Sequence, residues 1–212
     1  MNPVISTILL LLASYALGGV PFALILGFLR GVDIRTVGSG NVGATNLSRA
    51  AGRPWGILAF LLDFGKGFLP VLAARAITGA RPEWFPPSSA GFLPVLAGLA
   101  AMLGHVFPPA LKFRGGKGVA TGFGVMAALS WPAALGAGAV WLVLFLATRT
   151  VSVASVAAAA SLPLFTALFP PASGGISFLV LEIFALAAAL LIIVRHRANL
   201  ARLLHGKELK FH

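Results

Sequence analysis

The run from Val4 to Leu29 contains no charged side chain. A bilayer's hydrocarbon core is about 30 Å thick and takes roughly 20 apolar residues of helix to cross. Inside it, every backbone N–H and C=O must be satisfied within the segment, which leaves the helix as the natural form of such a run. Comparable runs recur to the end of the chain. Spans are expected at about Val4–Leu29, Trp55–Ala80, Ala90–Leu111, Val151–Phe169 and Ile176–Val194. The stretch from Val119 to Ala147 is too long for one comfortable crossing. Ser130-Trp131-Pro132 interrupts it, because proline cannot continue a helix from within. Two shorter spans are expected there, so the sequence predicts an all-α, polytopic integral membrane protein with seven transmembrane helices. Gly18-Gly19 and Pro21 predict close packing or a kink inside span one.

Composition agrees. Hydrophobic residues make up 58% of the chain and charged residues only 10%, against about 25% charged in soluble domains. The 212 residues allow one bundle, residues 1–212, and no substantial second domain. With no cysteine, disulfides, thiolate nucleophiles and cysteine-held metals are excluded. Met1-Asn2-Pro3 lacks a basic lead-in, and the following run exceeds the roughly 7–15 residues of a signal core. A retained first span is expected.

The net charge of +11 is unevenly placed. Thirteen of the 16 lysines and arginines fall in the loops after spans one, three and five and in the tail. Cytoplasmic loops carry such an excess. The N-terminus is therefore expected outside and the C-terminus in the cytoplasm. The charge reads as orientation and attraction to anionic headgroups, with no nucleic acid as partner.

Two polar stretches stand out on the basic side: Gly38-Ser39-Gly40-Asn41-Val42-Gly43-Ala44-Thr45-Asn46 and Gly115-Gly116-Lys117-Gly118-Val119-Ala120-Thr121. Glycine lets a backbone turn sharply and come close to a ligand. Successive N–H groups facing one concavity make an anion site. Arg49 follows Thr45 by four residues and would share a helix face with it. Both stretches are expected to bind phosphate groups through freed N–H groups, small hydroxyls and neighbouring cations. Neither is a Walker A loop, since Gly118 follows Gly-Gly-Lys. Gly38-x-Gly40-x-x-Gly43 has the letters of a dinucleotide fingerprint without the strand that must precede it. ATP and NAD are not expected, no cofactor is, and no histidine or carboxylate cluster suits a metal.

Asp63 and Lys66, three apart within span two, read as a structural ion pair. Glu182 reads as structural or snorkelling. The alternative function class is a membrane transporter of a phosphorylated small anion. All candidate ligands lie on one face, however, and no broken mid-bilayer helices are evident. A non-catalytic lipid-binding scaffold would not need loops this dense in donors.

Six motifs in register, Ser39–Asn46, Asp63-Phe-Gly-Lys-Gly67, Gly104-His105, Lys112–Thr121, Val151-Ser152 and Arg195-His-Arg-Ala-Asn199, resemble the acyl-phosphate glycerol-3-phosphate acyltransferase family, the PlsY family. The resemblance implies a seven-helix bacterial inner-membrane enzyme, active on the cytoplasmic side. It would move an acyl chain from acyl phosphate to the 1-hydroxyl of glycerol 3-phosphate, giving lysophosphatidic acid and inorganic phosphate, the first acylation of phospholipid synthesis. Partners would be the two substrates and membrane lipid, with the protein a monomer.

Carried over by motif, the catalytic group is Ser39, Arg49, Lys117, Ser152, His196 and Asn199. Phosphate contacts would come from Ser39, Gly40, Asn41, Gly43, Thr45, Asn46 and Arg49 in the first stretch. His105, Gly115, Gly116, Lys117, Gly118 and Thr121 would supply the second. The His-x4-Asp motif of other glycerophosphate acyltransferases is absent. Arg114 stands where the family more often has lysine, and Gly65 where it has a bulkier apolar residue. The glycine stretches contain no carboxylate, which favours the phosphate of glycerol 3-phosphate over His196 as the base.

Overall fold

The computed structural model describes all residues except Met1, Ser88, Ala172–Gly175 and His212, and the backbone alone at Ala90. The described residues form helices and turns, with no strand among them. Ten α-helices follow in order: α1 Pro3–Gly18, α2 Phe22–Leu29, α3 Ala44–Ala51, α4 Arg53–Ala80, α5 Leu93–Val106, α6 Val119–Leu129, α7 Trp131–Thr148, α8 Val151–Leu168, α9 Phe178–Arg195 and α10 Arg197–Leu204. Part of the loop expected at Pro170–Gly175 lies outside the described residues.

The ends of these helices follow from local chemistry. Asn2 caps α1 by accepting from the Val4 amide at 2.9 Å, with Pro3 in the first turn, where its missing N–H costs nothing. Ser177 caps α9 through the Val180 amide at 3.2 Å. The break expected at Ser130–Pro132 is present: Ser130 is extended and Pro132 sits in the first turn of α7. Span one is also divided, at Gly19–Pro21, into α1 and α2. Pro21 has no N–H to give and its ring crowds the turn before it.

Among the described residues, six segments are long and apolar enough to cross a membrane: Pro3–Leu29, Arg53–Ala80, Leu93–Leu111, Trp131–Thr148, Val151–Leu168 and Phe178–Arg195. The seventh expected crossing is α6. Its 11 residues reach about 16 Å at 1.5 Å per residue, roughly half a bilayer core. Its surroundings are mainly protein, since it packs on α4, α5, α7 and α9 and most of its residues are buried. A helix inside a bundle does not need the length that lipid demands.

Small residues bring these helices together. A Cβ added to Gly18 would overlap the backbone of Ala101, and one added to Gly104 the Tyr15 carbonyl, so α1 and α5 touch backbone to backbone. Gly67 and Gly124 join α4 to α6 the same way, against Thr121 and Phe64. Association in lipid rests on such packing, because burial of apolar surface gains little there.

The ion pair expected from Asp63 and Lys66 forms at 2.6 Å with both side chains buried. Lys66 also donates to the Val20 carbonyl at 2.7 Å. Val20 lies in the break between α1 and α2, where a carbonyl loses its helical partner. The ion pair thus pins the kinked first span to α4. Glu182 accepts from the Thr166 hydroxyl at 2.6 Å and ties α8 to α9.

Candidate active site

Four segments meet at one end of the bundle: α3, the loop before α6, the start of α8, and the tail from α10 onward. Arg49 on α3 donates to the Leu209 carbonyl at 3.1 Å. Lys117, before α6, donates to the Asn199 side chain on α10. Ser152, at the start of α8, donates to Glu208 at 2.8 Å. The Phe211 amide donates to the Arg149 carbonyl at 2.8 Å. Of the six expected catalytic residues, the structure links Lys117, Asn199 and Ser152 in one network through Glu208. Arg49 joins through the tail, and His196 lies in the turn between α9 and α10.

Glu208, Leu209 and Phe211 in this tail were not anticipated. The Glu208 carboxylate accepts from Ser152, from Asn199 at 2.6 Å and from Arg202 at 2.9 Å. Burial works against its charge, but the bonds from Asn199, Ser152 and Arg202 outweigh that and hold it below the ordinary glutamate value. The available signal was a lone acid in a basic tail. Arg195 was another omission. It donates to the Gly115 carbonyl at 3.0 Å and the Gly116 carbonyl at 3.3 Å, which clamps that loop.

The cations are crowded. Burial lowers Lys117 from 10.5 to about 8; Glu208 opposes this, while Arg202, Arg49 and Arg195 add to it. Arg49 is likewise lowered, chiefly by burial, and its Nε is buried without an acceptor. A buried donor without a partner calls for an explanation, and an incoming anion would provide one. His196 is lowered to about 4 by burial and by Lys117. Its Nδ1 lies 2.8 Å from the Ile192 carbonyl. A carbonyl can only accept, so Nδ1 carries the proton and Nε2 the lone pair.

The glycine stretches differ from expectation in one respect. The amides of Gly115 and Gly116 donate to the carbonyls of Val106 and His105, both at 3.1 Å. They are not freed for a ligand. These glycines are there because a Cβ would overlap the His105 backbone at Gly115 and the His105 ring at Gly116. His105, expected among the phosphate contacts, is buried beneath this loop, its Nδ1 3.8 Å from Asp63. Asn46 is also buried. It donates to the carbonyls of Ile34 at 2.7 Å and Val37 at 3.1 Å and accepts from the Ser39 amide at 2.9 Å. Its side chain is committed to holding the loop. Gly38 and Gly40 make the turns, at φ +58° and +67°.

What both stretches deliver is a helix start without a side-chain cap. Gly43 precedes α3 and Gly118, at φ +84°, precedes α6. The first amides of a helix have no intrahelical acceptor and carry the positive end of its dipole. The first residues of both helices, Ala44, Thr45 and Val119, line the mouth of a cavity of about 480 Å³. From that mouth the cavity continues between α4, α6, α7, α8 and α9 past Phe60, Phe123, Trp141, Ala158 and Leu162. Its body is almost wholly apolar. Ser39 and Asn41 stay on the loop before α3 and do not line it, and the Thr121 hydroxyl is buried without a partner.

A model described as glycerol-3-phosphate acyltransferase matches residues 8–206. The chain belongs to the glycerol-3-phosphate acyltransferase family. The enzyme is 45% identical to the glycerol-3-phosphate acyltransferase of Aquifex aeolicus, over 95% of this chain and 97% of the other. It is 42% identical to that of an Anaeromyxobacter species, over 98% of each. Its fold matches a crystal structure of PlsY, an integral membrane glycerol 3-phosphate acyltransferase, in its glycerol 3-phosphate form. The TM-score is 0.83 at 41% identity, over 98% of this chain and 96% of that one. A lysophosphatidic acid form of PlsY matches with a TM-score of 0.81 at 40% identity. This acyltransferase is thus a multi-pass membrane enzyme, and the transporter alternative falls.

Proposed function

We propose that the protein transfers an acyl chain from acyl phosphate to the 1-hydroxyl of glycerol 3-phosphate, using the substrate's own phosphate as the base. The observation that carries this reading is an apolar cavity lined at one end by the first residues of α3 and α6 and by Phe211, against whose ring the Arg49 guanidinium lies, with Lys117 two residues before α6. A molecule with an anionic head and a long apolar tail suits that combination. Arg49, Lys117, Ser39, Thr45 and the first amides of α3 and α6 hold the two phosphates, with Gly40, Asn41, Gly43 and Gly118 shaping their approach. Ser152, His196 and Asn199 close the site opposite, and Asn46, His105, Gly115 and Gly116 support it from behind.

In the reaction the glycerol 1-oxygen bonds to the acyl carbon, and the bond from that carbon to the phosphate oxygen breaks. The hydroxyl proton passes to the phosphate of glycerol 3-phosphate, and inorganic phosphate leaves. Holding both dianions together supplies proximity. Lys117 and Arg49 stabilise the charge on the tetrahedral carbon's oxygens and on the leaving phosphate. His196, at about 4, is a weaker base than a phosphate monoester, whose second ionisation lies near 6. Glu208 is engaged by three donors. Both observations support the substrate-assisted route.

The distribution of lysine and arginine supports seven crossings with the N-terminus outside and the site on the cytoplasmic face of a bacterial inner membrane. In this reading the protein acts as a monomer with lipid around it. The test is phosphate release by purified protein given palmitoyl phosphate, with and without glycerol 3-phosphate. Release that needs glycerol 3-phosphate and collapses in Arg49→Ala and Lys117→Ala is the expected result. No release from demonstrably folded protein overturns the reading.

A further inference from the structure

The cavity runs lengthwise between α7 and α8. Along α8 its lining runs from Val151 at the mouth through Ser155 and Ala158 to Leu162. Along α7, which runs the other way, it passes from Phe145 through Trp141 to Ala137. The distance from Val151 to Leu162 is about 16 Å at 1.5 Å per residue. The next residue on that face of α8 is Phe165, three positions beyond Leu162. Its ring lies against Gly136 of α7, so closely that a Cβ at Gly136 would overlap three ring carbons. Phe165 is partly buried against the main core cluster, which includes Leu162, Ala133 and Ala134. The lining ends at Leu162 on α8 and at Ala137 on α7, and the contact between Phe165 and Gly136 lies just beyond both.

We propose that Phe165, seated on Gly136, is the floor of the acyl groove and sets the length of acyl chain the enzyme prefers. This rests on the reading of the cavity given above. The physics is simple. A methylene that passes from lipid into an apolar groove gains little, so the groove selects by what it refuses. Chains fit freely until the terminal methyl reaches the ring. A longer chain must then displace Phe165 or turn out toward lipid, and forcing extra methylenes into a packed core is unfavourable. The glycine opposite is part of the device, because only a residue without a side chain leaves room for the ring to seal the end. Removing the ring leaves the small side chains of Ala133 and Ala134 nearby on α7, so the groove would lengthen.

The experiment is a competition. Purified protein receives glycerol 3-phosphate and an equimolar mixture of saturated acyl phosphates from decanoyl to eicosanoyl, and the lysophosphatidic acids formed are quantified by mass spectrometry. Ratios between chain lengths do not depend on how much protein is active, so a partly misfolded variant still reports. Phe165→Ala should move the preferred length at least two carbons longer. The ratio of products longer than the wild-type preference to those within it should rise at least about fivefold, the lower end of what overpacking a core costs. Leu162→Phe, which raises the floor by a turn, should move the preference shorter. Ratios that stay at the wild-type values in both variants overturn the floor while leaving the acyltransferase reading intact. If the wild type transfers no chain of any length, that reading fails and the floor falls with it.

Discussion

The two glycine stretches look alike in sequence and work by different physics. In the first, glycine is needed for its backbone. Gly38 and Gly40 take left-handed angles, and a buried side chain, Asn46, holds the resulting turn from inside. In the second, Gly115 and Gly116 are needed for their missing Cβ, because the loop is pressed onto His105 and clamped by Arg195. The first is shaped from within and the second from outside. Both end in an uncapped helix start at the mouth of one cavity. Likeness of letters therefore reports a shared output, an open helix start beside a cation, more reliably than a shared way of building it.

The largest expected effects test that shared output. Lys117→Ala and Arg49→Ala each remove a cation whose charge the site holds against burial. Removing a single oriented donor from a transition-state site costs about 10²–10³-fold in turnover. Losses of that size are expected from both variants in the phosphate-release assay, with thermal stability little changed. If only one loop matters, only one variant will fall that far.

Next come the glycines, where the two loops should part. Gly115→Ala and Gly116→Ala each introduce an overlap in a packed region, which costs about 1–3 kcal/mol. The obstacle to Gly116→Ala is the His105 ring, whereas the obstacle to Gly115→Ala is backbone. Adding His105→Ala should therefore restore stability to Gly116→Ala and not to Gly115→Ala. This is measured as a double-mutant cycle in thermal denaturation. In the first stretch Gly38→Ala meets the Asn46 side chain at a left-handed angle. There, removing the obstacle also removes the latch, so Asn46→Ala should give no rescue. Equal behaviour of Gly116 and Gly38 in this test would erase the distinction between the loops.

How much of this could be read from the sequence depends on how local the cause was. The break at Ser130–Pro132 was legible because proline acts on its own turn. The Asp63–Lys66 pair was legible because three residues on a helix share a face and lipid permits few alternatives. The division of span one was seen only as a kink, since Pro21 alone does not say whether the helix bends or stops. The role of Gly115 and Gly116 was misread because a sequence does not say whether a glycine turns the chain or makes room for a neighbour. Glu208 was missed because what ties it to α8 is far away in the chain: Asn199 and Arg202 are nine and six residues off, but Ser152 is fifty-six residues off and reaches it only through the fold. Motifs named residues such as Asn46 and His105 without saying that their side chains are spent on holding the loops.

Asn46→Ala gives a smaller effect and isolates the internal latch. It leaves the Ile34 and Val37 carbonyls without their donor, and a buried polar group left unpaired costs about 1–3 kcal/mol. The variant should raise KM for glycerol 3-phosphate more than it lowers kcat, because the loop loosens while Lys117 and Arg49 remain. A kcat loss as large as that of Lys117→Ala would instead place Asn46 on the reacting groups and make the first loop a chemical partner.

The smallest effect concerns the base, and it is read from pH. The ammonium form of Lys117 lies below its value of about 8, so kcat/KM should fall as pH rises through 8. Lys117→Arg should keep its charge and flatten that limb. On the acid side kcat/KM should rise through about 6 as the substrate phosphate becomes a dianion able to take the proton. His196, titrating near 4, contributes no limb between these. His196→Ala should therefore retain both limbs, with a rate loss below the 10²–10⁴-fold that removal of a general base produces. If the acid limb vanishes in that variant, the proton goes to Nε2 of His196. The protein would then supply the base that its glycine loops lack.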